Sequence, residues 1–364
     1  MVRVIFPTVT ENGFGNNIIT LAKAHLIAES CNLTYQAPVW PYCPHVKPAS
    51  PNGYGHYFPS TRTDKLKLNA LKLLFRVNRR LKSSIPISTL TYGVEDYKQS
   101  GIVDVGEACR VYLQQRGLES PSRSLVLTVE GMWGNYLPIK RARNWITHLL
   151  SSHANTAQRF EAIRNRVAGK LRIAVHIRMG DFVAREAAGV MKPGERAVRL
   201  PMEWYIRVCQ QIREHVDANF ILLSDGKPEE LKPFLDAIRP THILGEPYQD
   251  LLGILLLRES DLIVASNSTY SRLGAFLNDK PYIWPADTLH RDSSGKFGYL
   301  WKGLGSAVPS DDRSDPDVVR RCYALAINSP QIPGGLIKYL RSNGTARIEF
   351  SEDLLYSQPV YILR

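Results

Sequence analysis

Residues 173 to 187 read Ile-Ala-Val-His-Ile-Arg-Met-Gly-Asp-Phe-Val-Ala-Arg-Glu-Ala. The short apolar run Ile173 to Val175 predicts a buried strand, and polar chemistry follows it directly: His176, Arg178 and Asp181, with Gly180 giving the backbone room to turn. Ligands of open α/β sheets sit just beyond the carboxyl ends of the strands. A guanidinium at that place is a planar fork that grips two phosphate oxygens at once. Asp181 is spaced to orient Arg178 or a substrate hydroxyl. Glu186 follows within reach as a candidate general base, its alternative being a solvated loop carboxylate. His176 and Arg178, two apart on a strand, share a face; the alternative for His176 is a core histidine bonded to a backbone carbonyl. Together these residue types suit a diphosphate leaving group beside a base.

Two further strand ends carry the same kind of residue. A predicted strand at 219–223 ends in Ser224-Asp225-Gly226, and one at 261–265 ends in Ser266-Asn267-Ser268-Thr269-Tyr270-Ser271. Free N–H groups at a helix start, together with hydroxyl donors, make a phosphate cradle. Capping alone accounts for one or two such residues, not six in a row. Asp225 can accept from a ribose hydroxyl or a base N–H, or it can cap the helix predicted at 228–238. Asp315-Pro316-Asp317 matches an Asp-x-Asp metal pattern, yet reads better as the start of a helix running through Val318 to Ile327. The sequence has no His-Glu-x-x-His, Walker A or zinc spacing, and no Gly-x-Ser-x-Gly nucleophile elbow.

The elements that must position these residues alternate along the chain. Residues 2–7 predict a first strand rather than a signal peptide. Gly13-Phe14-Gly15-Asn16-Asn17 then leads into a helix over Ile18 to Glu29, a βα unit lacking the third glycine of a dinucleotide fingerprint. Residues 38–60, rich in Pro, Tyr, Gly and His, predict a loop. Ser124 to Val129 is a second clear strand, ending near Glu130, and Asn144 to His153 is helical. A boundary is placed near Ser151 to Asn165. Beyond it come a strand at 171–177, a helix at 202–216, the strand at 219–223, a helix at 228–238, a strand at 241–244, a helix at 249–259, the strand at 261–265, a helix at 271–278 and a strand at 281–284. Such alternation implies an α/β fold with parallel sheets covered on both faces. The expected organisation is an N-terminal domain over 1–155, a C-terminal domain over 165–345 and a tail over 346–364.

The chain has 364 residues, 44% hydrophobic and 22% charged, with a formal net charge of +12. That composition is ordinary for a globular protein, and no apolar run is long enough to span a membrane. The five cysteines are scattered without a Cys-x-x-Cys, which favours reduced thiols and a cytoplasmic location. A sequon at Asn267 falls inside the candidate site, which points the same way. Much of the positive charge lies between Lys65 and Lys82, opposite Leu71, Leu74, Phe75 and Leu81. That segment is either a solvated basic face or a peripheral contact with anionic membrane.

These motifs, in this order, resemble the His-x-Arg fucosyltransferases, the superfamily of α1,2-, α1,6- and protein O-fucosyltransferases. His176-Ile-Arg178-Met-Gly180-Asp181 is similar to the His-x-Arg-Arg-Gly-Asp of the α1,2 branch. Glu186-Ala187-Ala188, Pro201-Met-Glu203-Trp-Tyr205, Ser224-Asp225 and Asn267 to Arg272 resemble successive α1,6 motifs, and Gly13-Phe14-Gly15 resembles the N-terminal turn of both. Phe182 departs from the branch, which often carries a basic residue there. The resemblance implies a GT-B-type fold of two Rossmann-like domains facing a cleft, inversion at the transferred sugar, no metal cofactor and GDP-fucose as donor. His176, Arg178, Ser224, Asp225, Asn267, Ser268, Thr269, Tyr270, Tyr205, Gly13 and Gly15 are then expected at the donor, with Arg178, Asp181 and Glu186 catalytic and Glu130 or Glu11 as alternative bases. A glycan acceptor is the expected partner; nucleic acid is not. Two other readings stay open: another nucleotide sugar on the same fold, and a non-enzymatic binding module for anionic glycans or nucleic acid.

Overall fold

The structure, a computed structural model, describes residues 2–9, 14–38, 62–80, 87–131, 136–180, 199–244, 249–286 and 322–342. These form two compact units that change over between His148 and Leu149. Both are α/β, and every strand pairing in them is parallel.

In the first unit, β1 (Arg3–Thr8) enters α1 (Phe14–Cys31) and β2 (Thr34–Tyr35), followed by α2 (Arg62–Arg80), β3 (Ile87–Tyr92), α3 (Val94–Gln99), α4 (Val105–Gln115) and β4 (Ser124–Glu130). The sheet order is β2-β1-β4-β3. β1 runs in register with β4 from Arg3 opposite Leu125 to Thr8 opposite Glu130. Val4, Ile5 and Phe6 are buried in succession, as parallel strands covered on both faces require. The helix α2 lays Leu68, Leu71 and Leu74 on Val4, Phe6, Val126 and Ile87.

The second unit takes in the end of α5 (Arg143–Ser151) and α6 (Ala154–Arg166). Strands and helices then alternate: β5 (Leu171–Ile177), α7 (Met202–His215), β6 (Ala218–Ser224), α8 (Pro228–Ile238), β7 (His242–Leu244), α9 (Gln249–Glu259), β8 (Leu262–Val264), α10 (Thr269–Leu277), β9 (Tyr282–Pro285), β10 (Cys322–Leu325) and α11 (Gly334–Arg341). The sheet order is β10-β9-β8-β5-β6-β7. The chain leaves β5 through β6 and β7 in one direction, returns to β8 on the other side of β5, and continues outward. Helices that depart to opposite faces from neighbouring strands leave a crevice between the carboxyl ends of β5 and β8. Trp204, Val208 and Ile212 of α7 and Phe234 and Ile238 of α8 share one core with Ile173, Val175, Phe220 and Leu222.

The stretch read as a boundary, Ser151 to Asn165, holds most of α6, which packs against α9. One stretch differs from the sequence expectation. The helix expected over Val318 to Ile327 holds instead the edge strand β10, with Cys322 opposite Tyr282 and Leu325 opposite Pro285. A four-residue apolar run fits either period, and an open sheet edge decided it. Asp315 and Asp317 lie outside the described residues, as do residues 39–60 of the loop read at 38–60.

Candidate functional site

The crevice between β5 and β8 is built around His176. The last residues of β5 are apolar and buried, so the strand carries His176 into the interior at 5% exposure. Across the crevice the hydroxyl-rich turn before α10 closes on its ring. Ser271 Oγ lies 2.6 Å from His176 Nδ1 and Ser266 Oγ lies 3.0 Å from it. Ser268 caps α10 by accepting the Ser271 N–H at 3.2 Å, and the Ser266 N–H donates to Ser271 Oγ at 3.1 Å. The six-residue polar run is thus explained in part: one serine caps the helix and two hold the histidine. Tyr270 covers the ring, centroids 4.9 Å apart. Its hydroxyl abuts Gly253 of α9, where a Cβ would collide with it. Burial, and then the Arg178 charge, lowers the His176 pKa from 6.5 to about 3. The ring is neutral near pH 7, a fixed link between strand and helix and a poor base.

Arg178 follows at the strand end with its side chain one-third exposed, and its Nη1 lies 2.5 Å from Asp225 Oδ2 at the end of β6. The other oxygen of Asp225 accepts the Met179 N–H at 2.7 Å. The carboxylate that braces the arginine in the described residues therefore comes from the neighbouring strand. Asp225 is not a helix cap either: Lys227 caps α8, in a capping box with Glu230. Gly180 is bare for a reason other than turning. A Cβ there would run into the Asp225 carboxylate.

Arg199 ties this turn down from outside. It donates to the Met179 carbonyl at 2.9 Å and to Glu230 at 2.7 Å. Lys227 N–H and Arg199 together hold the Glu230 pKa below the usual carboxylate range. Nothing in the sequence singled out Arg199, because its partners are backbone carbonyls and a helix-cap glutamate distant in the chain.

The remaining expected residues fall as follows. Ser224 is buried, donating to the Ile177 carbonyl at 2.7 Å and accepting from Gly226 N–H at 3.0 Å. Tyr205 is buried at the start of α7. Burial pushes its phenol well up, Ser266 opposes that rise, and Asp225 adds to it, so Tyr205 sits within the influence of both strand ends. Among the described residues its hydroxyl has no partner of hydrogen-bond geometry. Asn267 is buried and accepts from Arg272 Nη2 at 3.5 Å. Arg272, over the Trp284 ring at 5.5 Å, brings a second guanidinium to the start of α10, where Thr269 and Tyr270 are partly exposed. In the first unit Gly15 lies buried in the first turn of α1, and Glu130 is exposed at the end of β4. Gly13, Asp181, Glu186 and Glu11 lie outside the described residues. Among the described residues no group of three or more His, Cys, Asp or Glu side chains is placed to hold a metal ion.

No family model matches the chain, and no curated protein matches it. Solved structures that it resembles include fucosyltransferases. One is the NodZ α-1,6-fucosyltransferase soaked with GDP-fucose, at 12% identity and a TM-score of 0.43 over 81% of this chain and 97% of that one. A second is FUT1 of Arabidopsis thaliana in complex with GDP, at 12% identity and 0.38 over 78% and 70%. The UDP-GlcNAc 2-epimerase of Neisseria meningitidis, bound to UDP-GlcNAc, is similar at 11% identity and 0.39 over 79% and 82%.

Proposed function

We propose that this protein is an inverting glycosyltransferase that moves L-fucose from GDP-fucose to a hydroxyl of a glycan acceptor. The observation that carries this reading is Arg178. It stands at the switch point of a doubly wound parallel sheet, part-exposed, braced by Asp225 at 2.5 Å, beside the N-terminus of α10. The ordered resemblance of the strand-end motifs to the His-x-Arg fucosyltransferases supplies the choice of donor.

In this mechanism the acceptor oxygen forms a bond to the anomeric carbon as the bond from that carbon to the β-phosphate oxygen breaks. GDP leaves with the bonding electron pair. Arg178 receives the charge that grows on the β-phosphate, with Arg272 and the α10 N-terminus alongside it. These fixed positive groups do the work that a divalent cation does in other transferases, so no metal is required. Asp225, itself held by the Met179 N–H, keeps the arginine fork in place, and His176 stays neutral and fixes α10 against β5. The acceptor proton goes to a carboxylate. Glu186 is the first assignment, with Glu130 and Glu11 as alternatives that Glu→Gln substitutions at the three positions separate.

The test is a thermal-shift and hydrolysis screen across GDP-, UDP-, dTDP- and CMP-sugars, followed by transfer to glycan acceptors. Stabilisation by GDP and GDP-fucose above all others is expected. Selective stabilisation by a different nucleotide would retain the site and replace the donor; no response to any of them would refute the enzyme reading.

A further inference from the structure

The helix α2 has two apolar faces, and the fold uses one of them. Leu68, Leu71 and Leu74 pack on the sheet of the first unit. At about 100° per residue, Leu66 and Leu73 lie together on the opposite side, and they are 62% and 60% exposed. Arg62, Lys65, Lys72 and Arg76 are exposed along the same side. The helix RTDKLKLNALKLLFRVNRR holds a single acidic residue, Asp64. A surface helix ordinarily turns polar residues outward; here two leucines occupy the centre of the outward face, flanked by cations.

We propose that this face docks the protein on an anionic lipid bilayer. The charge selects the partner's sign, and the chain as a whole, at +12, complements a negatively charged leaflet. The leucines select the partner's class. A nucleic acid or an acidic protein surface engages the cations but gains nothing from two leucines set among them. A bilayer interface takes both, since the leucines enter the boundary between headgroups and acyl chains. The stems of Lys and Arg lie along that boundary with their charged ends at the phosphates. The docking face shares no residue with the strand-end site, so the proposal stands whether or not the proposed donor is correct.

Co-sedimentation of the whole chain with extruded vesicles tests this. Binding to phosphatidylcholine vesicles containing phosphatidylglycerol is expected, with none to phosphatidylcholine alone. The Leu66→Gln/Leu73→Gln variant should bind about tenfold more weakly or worse, given the apolar share of such binding. The Arg62→Gln/Lys65→Gln/Lys72→Gln/Arg76→Gln variant should lose binding. Both should keep the wild-type melting temperature and the wild-type response to GDP; if the double leucine variant does not fold, Leu73→Gln alone gives the same reading. Equal binding to both vesicle types overturns the proposal. So does a leucine variant that binds as tightly as wild type, because charge alone would then explain the contact and any polyanion would serve, heparin included.

Discussion

Two side chains at the end of β5 separate charge from position. Arg178 carries the charge, and its value lies in fork geometry rather than in a positive charge as such. Arg178→Lys keeps an ion-pair partner for Asp225 but cannot present two parallel N–H groups to a phosphate. Turnover at saturating donor should fall by about 10²- to 10³-fold, the size of effect seen when one preorganised donor to a developing anion is lost. The melting temperature should change little, and near wild-type turnover would remove Arg178 from the chemistry. His176 carries position, and its burial makes a pH prediction. The unfolded ring protonates near 6.5, whereas the native ring resists protonation down to about 3. Below pH 6.5 the unfolded chain takes up a proton that the native protein refuses. The stability His176 contributes is therefore intact above pH 6.5 and is lost progressively as pH falls toward 3. Denaturant melts across that window should show His176→Gln with a flatter pH dependence, by up to about 1.4 kcal/mol per pH unit. Parallel curves for the two proteins would mean that the ring protonates normally. His176 and Arg178 were both legible in the sequence, as polar residues ending an apolar run. The bracing of Arg178 by Asp225 was not, because that aspartate reaches the arginine through the β5–β6 pairing, which local spacing does not reveal.

At the scale of elements, the site depends on how tightly α10 packs. Its N-terminal turn supplies Ser271 to the histidine and Ser268 as its own cap, and its middle rests on α9. At Gly274 the two helices approach closely, since a Cβ there would lie 2.6 Å from the Leu257 Cβ. Gly274→Ala gains about 1 kcal/mol of helix propensity. It also forces two backbones apart at a cost of about 1 to 3 kcal/mol, as overpacked cores do. A melting temperature lowered by a few degrees is expected, together with weaker GDP binding because the serine turn shifts away from His176. A stabilised variant would show that the helices can separate freely. The β5, α8 and α9 spans were readable from the sequence because their apolar periods are clear and turn residues bound them. β3 was hidden by Ser88, Thr89 and Thr91, which dilute its apolar pattern. α6 has few apolar residues and looks like a linker until it meets α9. In β10 the run is too short for its period to distinguish strand from helix.

For the whole molecule, alternating strands and helices announced two parallel α/β units, but not their strand orders. Order follows from which face each crossover helix covers, a property of the assembled sheet rather than of any segment. In the second unit the order β10-β9-β8-β5-β6-β7 sets β5 and β8 side by side, and that adjacency brings Arg178, His176 and the α10 turn to one place. A site assembled from three strand ends exists only in the folded unit, so a ligand that occupies it must stabilise the native state. GDP at 100 times its dissociation constant should add about 2.7 kcal/mol to the unfolding free energy. For a chain this long that corresponds to a rise in melting temperature of several degrees. The positive groups at these strand ends are guanidinium side chains and a helix N-terminus, all fixed parts of the protein, so the rise should be the same with EDTA as with added magnesium or manganese. Arg178→Lys should shrink it, because the lysine holds the diphosphate less well, while UDP should give a smaller rise than GDP. A shift that disappears in EDTA would assign the diphosphate to a metal ion and overturn the arginine-based mechanism. A shift of equal size in Arg178→Lys would place the nucleotide elsewhere on the molecule.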